Sequence, residues 1–234
     1  MNIAIVLAGG VGARVGAKVP KQFIEVLGKP IMIYTLEVFE NNPSIDEIIL
    51  VCVESHLAMA EELCLRFGIT KVKTIIRGGK EFVDSCMNGM RTLEGKASSN
   101  DIVIVTSADR PFITDYEIND SIRVCKEHGS GVAARKCTLC MFRVEKELNH
   151  SHEYLRNTLV QTATPWAFRY GLIKDAFERY NKGLLPFCED YPIAIFAAAG
   201  NEVFFSKSDP CNFKITEKKD INLMEQLLLE RKGF

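Results

Sequence analysis

Three runs constrain this chain more than anything else in it: IAIVL at 3–7, IILVCV within 46–53, and DIVIVT at 101–106. Each is apolar at consecutive positions and short, so the strand it predicts must be covered on both faces. Segments with helical spacing lie between and after them, at 31–39, 57–67, 82–93 and 118–128. Pro30 suits the start of the first, and Gly68 suits a left-handed cap after the second. A β-branched run at 72–76 and a further strand from 131–134 continue the alternation. Strand and helix joined by short connections predict an α/β fold, a Rossmann-like, mostly parallel sheet with flanking helices.

The rhythm changes after residue 134. Residues 137–156 hold no parallel-sheet unit and read as a projecting arm or hairpin. Helical character returns at 168–180, short strands are expected at 202–205 and 213–215, and a closing helix at 220–229 has Thr216 or Asp220 as its cap. No repeat, low-complexity stretch or linker interrupts the chain, so 1–234 reads as a single domain.

Apolar residues make up 47% of the 234, enough to bury a full core. The 29 basic and 30 acidic residues leave a net charge of -1, with no general pull toward nucleic acid or an anionic membrane. No apolar run approaches the roughly 18–20 residues of a membrane span, and no charged leader precedes the first strand. The expectation is a soluble cytoplasmic protein. Eight cysteines fit small buried hydrophobes in a reducing compartment. Cys137 and Cys140 form a CxxC, but the β-like alternation around them argues against a zinc site built with His150 and His152.

Open α/β sheets bind ligands beyond the carboxyl ends of their strands. Gly9-Gly10, Arg77-Gly78-Gly79 and 107–111 each follow a strand, so one rim gathers three distant loops. The first loop, AGGVGARVGAKVPKQ, lacks the P-loop pattern. It holds Gly10-x-Gly12 without the third glycine of a dinucleotide fingerprint in place. Glycines there serve either a structural turn or backbone N–H groups converging on an anion. Arg14, Lys18 and Lys21 favour the anion, because a guanidinium grips phosphate oxygens as a fork and an ammonium follows a moving charge. Lys18 also reads as a solvated surface charge. Lys214 alternates with Phe213 and Ile215, which directs it either to solvent or to a ligand.

LAGGVGARVGAKVPKQFIEVLGKPIMIYTLEVF, RGG…DSCMNGM, ADRPF, TPWAF and NFKIT, in that order along almost the whole chain, resemble the small cytidylyltransferases that act on alditol phosphates. This family includes the 2-C-methyl-D-erythritol 4-phosphate and ribitol 5-phosphate enzymes. The resemblance implies attack of an alditol phosphate on the α-phosphorus of CTP with release of pyrophosphate, aided by Mg2+. It implies catalytic roles for Arg14, Lys21 and Lys214. Leu7, Ala8, Gly9, Gly10, Gly12, Gly79, Ser85 and Asp109 would lie against CTP. Arg110, Thr138, Arg156 and Thr164 would lie against the acceptor, with 137–160 as a dimerisation arm in a homodimer.

The family's metal-binding aspartate lies three residues before the arginine of the ADRPF motif, where this chain has Ser107. Either Asp109 takes over the metal, with Asp209 as a second candidate ligand, or the nucleotide phosphates and water hold it; Asp109 can also simply pair with Arg110. Cys188 likewise stands where the family often has threonine. Among acceptors, the resemblance puts 2-C-methyl-D-erythritol 4-phosphate, a precursor in isoprenoid synthesis, first and ribitol 5-phosphate next. A transferase of this kind requires Lys21 and Lys214 to meet over one nucleotide tail.

Overall fold

The computed structural model describes residues 1–10, 19–146 and 149–231. In chain order its elements are β1 (Asn2–Ala8), a small hairpin of β2 (Glu25–Val26) and β3 (Lys29–Pro30), α1 (Ile31–Asn41), β4 (Glu47–Cys52), α2 (Leu57–Arg66), β5 (Val72–Arg77), α3 (Phe82–Arg91), β6 (Ile102–Ser107), α4 (Asp115–His128) and β7 (Ser130–Lys136). Then follow β8 (Met141–Lys146), β9 (Asn149–Tyr154), β10 (Val160–Arg169), α5 (Tyr170–Asn181), α6 (Pro192–Ala198), β11 (Phe205–Lys207) and α7 (Lys218–Arg231). Seven strands form the main sheet in the order β11-β7-β10-β6-β1-β4-β5, and β8 pairs with β9 in a two-stranded sheet of its own. Within the main sheet, among the described residues, only β10 runs antiparallel to its neighbours, β6 and β7.

The unbroken apolar runs are explained by two-sided burial. In β1, Ile3, Ile5 and Leu7 face a core shared with α3, α5 and α6. Ala4, Val6 and Ala8 face the opposite core with α1, α2 and α4. A third cluster, Val26, Ile31, Phe112, Ile215, Met224 and Leu228, lies under α7. Helix α3 comes close to the sheet because Gly89 has no side chain; a Cβ there would stand 2.7 Å from Ile5 Cγ2. At the end of α2, Gly68 takes a φ of 67° while the Ile69 N–H bonds back to Cys64, the glycine-terminated stop expected from its sequence.

The structure corrects several boundaries. The stretch expected to be helical from 168 is strand up to Arg169, and α5 begins at Tyr170. Strand β10 escapes a sequence reading because Pro165 removes a ladder donor and the register against β7 shifts between Thr162 and Trp166. The strand expected at 202–205 forms at Phe205–Lys207 instead, through its pairing with β7. Residues 213–215 belong to no sheet; their alternation holds all the same, with Lys214 exposed and Ile215 buried. Helix α6 begins at Pro192 with no expectation for it in the sequence.

Candidate active site

Register places the ends of four parallel strands on one rim. Ala8 lies beside Cys52, Cys52 beside Arg77, and Leu7 beside Ser107. The loops leaving β1, β5 and β6 border a cavity of about 330 Å³, lined by Leu7, Gly9, Gly10, Lys21, Gly79, Lys80, Glu81, Phe82, Ser85, Ser107, Asp109, Lys214 and Thr216.

Lys21 opens a short 3-10 turn, Lys21–Phe23, that tucks back against the end of β1. Gln22 fixes the turn by donating from Nε2 to the Ala8 carbonyl. The Lys21 ammonium reaches Asp109 Oδ2 at 2.6 Å and donates to the Ile215 carbonyl at 2.5 Å. The Ile215 N–H in turn donates to the Asp109 carbonyl at 2.9 Å. Three segments distant in sequence are thereby locked together, and Lys214 is carried to the same cavity, its ammonium 6.0 Å from the centre of the Phe82 ring. Lys21 and Asp109 are each 6% exposed, so the pair is buried at the cavity's edge. Asp109 Oδ1 is buried with no hydrogen-bond partner among the described residues.

On the far wall, the Gly79 N–H donates to Ser85 Oγ at 3.0 Å, and Ser85 donates to the Glu81 carbonyl. Asp84 accepts from the Glu81 N–H at 3.0 Å and closes the first turn of α3. Gly79 is obligatory there: a Cβ would fall 2.1 Å from Asp84 Cβ.

Of the residues expected from the sequence, Leu7, Gly9, Gly10, Lys21, Gly79, Ser85, Asp109 and Lys214 line the cavity. Ala8 is buried beneath it. Gly12 and Arg14 lie outside the described residues. Thr164 is a layer below, its hydroxyl bonded to that of Thr106 at 2.8 Å. Arg110 turns away, donating to the Asn212 carbonyl at 2.8 Å; burial draws its pKa down while Asp109 and Glu117 oppose that fall. Asp209 accepts from the Cys211 N–H in a turn and is not among the lining residues. Thr138 and Arg156 meet at the base of the arm, Arg156 donating to the Thr138 carbonyl at 3.4 Å, both exposed and away from the cavity. Lys80, Glu81, Phe82 and Thr216 were not anticipated. The glycine pair just before Lys80 was the one signal pointing to that stretch.

A rim cavity bordered by a glycine turn and at least three lysines suits a polyanion. A family model described as 2-C-methyl-D-erythritol 4-phosphate cytidylyltransferase matches residues 2–230. The chain belongs to this family. Its members are nucleotidyltransferases. The ribitol-5-phosphate cytidylyltransferase of Lacticaseibacillus paracasei is 34% identical over 234 residues, covering 99% of both chains. A 2-C-methyl-D-erythritol 4-phosphate cytidylyltransferase of Clostridium botulinum is 31% identical over 230 residues, covering 97% of both. Among solved structures, the 4-diphosphocytidyl-2C-methyl-D-erythritol synthase of Anaerococcus prevotii superposes with a TM-score of 0.83 at 21% identity, covering 98% of this chain and 96% of that one, and so shares its fold.

Proposed function

We propose that this cytidylyltransferase moves CMP from CTP to an alditol phosphate, and that the acceptor is ribitol 5-phosphate. One observation carries the transfer reading: Lys21 and Lys214 border a single cavity with the Gly9-Gly10 turn and Asp109. An oxygen of the acceptor phosphate forms a bond to the α-phosphorus as the bond to the β-phosphate oxygen breaks and pyrophosphate leaves. Two polyanions must approach, and charge grows on the equatorial oxygens. Lys21, Lys214 and, by the resemblance, Arg14 would supply the positive charge that offsets both. Because the acceptor phosphate is already ionised near neutral pH, no general base is needed. Gly79 and Ser85 would border the cytosine and ribose, and Thr164 supports the acceptor side from below.

Asp109 fits a magnesium ion better than Asp209 does. Its Oδ1 is a hard, charged oxygen without a partner among the described residues, beside the cavity, whereas Asp209 closes a turn elsewhere. Bound there, the metal would neutralise nucleotide phosphate oxygens. Asp109 meanwhile holds the Lys21 ammonium in place.

Ribitol 5-phosphate is favoured by the full-length relative at 34% identity and by a Vibrio parahaemolyticus ribitol-5-phosphate cytidylyltransferase at 43% over 133 residues, 56% of each chain. The second reading, 2-C-methyl-D-erythritol 4-phosphate, is favoured by the family model. Exposed Thr138 and Arg156 would serve the acceptor side of a second copy, in a homodimer joined through the arm. The eight free cysteines suit a cytoplasmic enzyme. The test is to offer purified protein, CTP and magnesium each acceptor, measuring pyrophosphate and the CDP-linked product. Ribitol 5-phosphate is expected to give the highest kcat/KM. Turnover with hexose 1-phosphates alone would overturn the alditol assignment.

A further inference from the structure

Glu117, the third residue of α4, is fully buried. Its carboxylate is surrounded by donors. Oε2 accepts from the Thr114 N–H at 3.0 Å and the Thr114 hydroxyl at 2.9 Å. Oε1 accepts from the Asp209 N–H at 2.9 Å, Asn212 Nδ2 at 2.8 Å and the Ser208 hydroxyl at 3.2 Å. The first pair caps α4, an ordinary use of an acid in a helix's first turn. The other three do not belong to the helix. They bind the irregular segment 208–212, which leads directly to Lys214.

Asn212 is the centre of this arrangement. Its side-chain amide also donates to the Thr164 carbonyl at 2.8 Å, and its own carbonyl accepts from Arg110. Downstream, the segment is fastened again by Ile215 to Asp109 and Lys21. No helix or sheet runs through 208–216; backbone bonds from the Ser208 and Ile215 N–H groups to the Ala134 and Asp109 carbonyls tie its ends, and side chains order the stretch between them. An acceptor-only carboxylate suits the Oε1 site, since all three partners there are donors. The amide of a glutamine would present an NH2 group against donors on one side or the other.

We infer that Glu117 is a positioning residue for the transfer reaction, setting the place of Lys214 through Asn212 and the 208–212 segment. This rests on the proposed role of Lys214. Glu117 touches no substrate; it acts by fixing where an ammonium stands, and misplacing such a group by an ångström costs rate without removing any charge.

The experiment compares wild type, Glu117→Gln, Asn212→Ala, Lys214→Ala and the Lys214→Ala/Glu117→Gln double variant. Glu117→Gln and Asn212→Ala are each expected to lower kcat by about 10- to 100-fold, with KM for CTP changed by less than about threefold. In the double variant the Glu117 change should add less than about twofold to the loss from Lys214→Ala, because the two act through one group. Amide hydrogen exchange gives an activity-independent reading: 209–216 should exchange at least about tenfold faster in Glu117→Gln and Asn212→Ala while β1 and β6 stay protected. Losses that multiply in the double variant, or unchanged exchange across 209–216, would overturn the inference. Should Glu117→Gln fail to fold, Asn212→Ala decides alone, since it leaves the α4 cap intact. A wild-type chain that transfers CMP to none of the acceptors would sink the proposed function instead, and the exchange result would still stand or fall separately.

Discussion

Lys21 illustrates how a charge read as a phosphate ligand can also be a structural tie. Its buried bridge to Asp109 means that removing one partner strands the other charge, which typically costs about 3–5 kcal/mol in buried pairs. The pair borders an open cavity, so the lower end of that range is the expectation. Lys21→Ala should therefore unfold at lower urea than the Lys21→Ala/Asp109→Asn double variant, although both lose activity. Equal midpoints would mean that the Asp109 charge is stabilised by something other than Lys21. Gly79 offers a second test at this scale. An added methyl would collide with the backbone and side chain of Asp84, so Gly79→Ala must displace the start of α3. The expected outcome is KM for CTP raised about tenfold or more, measured beside Gly183→Ala as a control, where a Cβ meets nothing within 4 Å although its φ of 65° makes alanine strained. The place of the Gly78-Gly79 turn on the rim was legible because glycine pairs after strands are distinctive, whereas a role for Ser85 came only with the family resemblance. The use of Ser85 to brace Gly79 was not legible, since a helical serine carries no sign of its partner.

Elements were legible in proportion to how local their causes are. The strands β1, β4, β5, β6 and β7 and the helices α1 to α4 follow from apolar runs and spacing. By contrast, β10 and β11 exist because of partners supplied from elsewhere, and the irregular 208–216 segment mimics a strand by alternation alone. Edge strand β11 is held partly by Asp120 on α4, whose carboxylate accepts from the Lys207 N–H at 2.9 Å. Burial alone would raise the pKa of Asp120, but that N–H and Arg123 outweigh it and hold the carboxyl below its ordinary value. A group whose folded pKa is depressed stabilises fully above its unfolded value, about 3.9, and loses that contribution as pH falls through the folded value. Asp120→Asn should thus lower stability at pH 7 and narrow its gap from wild type below about pH 4. Urea midpoints across pH 3–7 would measure this, and a gap that stays constant would contradict a depressed Asp120 carboxyl in the folded chain.

At the scale of the whole molecule, the cavity is a product of topology: four strand ends share one rim, and one late segment, 214–216, folds back to meet Lys21. The expectation that Lys21 and Lys214 converge needed the family resemblance, because nothing local in either stretch points to the other. The arm is different again. Among the described residues β8 and β9 pair only with each other, and a lone two-stranded hairpin is marginally stable in water. Around it Leu139, Phe142 and Leu155 are 64%, 58% and 67% exposed, an unusual density of open apolar side chains. A second copy of the chain would cover them and would bring Thr138 and Arg156 within reach of an acceptor. Sedimentation should accordingly give the mass of two chains at micromolar concentration. Leu139→Asp/Leu155→Asp should shift it to one chain, with CTP affinity retained and transfer lost. Arg156→Ala in the intact dimer should raise KM for the acceptor and leave KM for CTP unchanged. A wild-type monomer with full activity would show that each chain completes its own acceptor site, and the exposed arm would then need another partner.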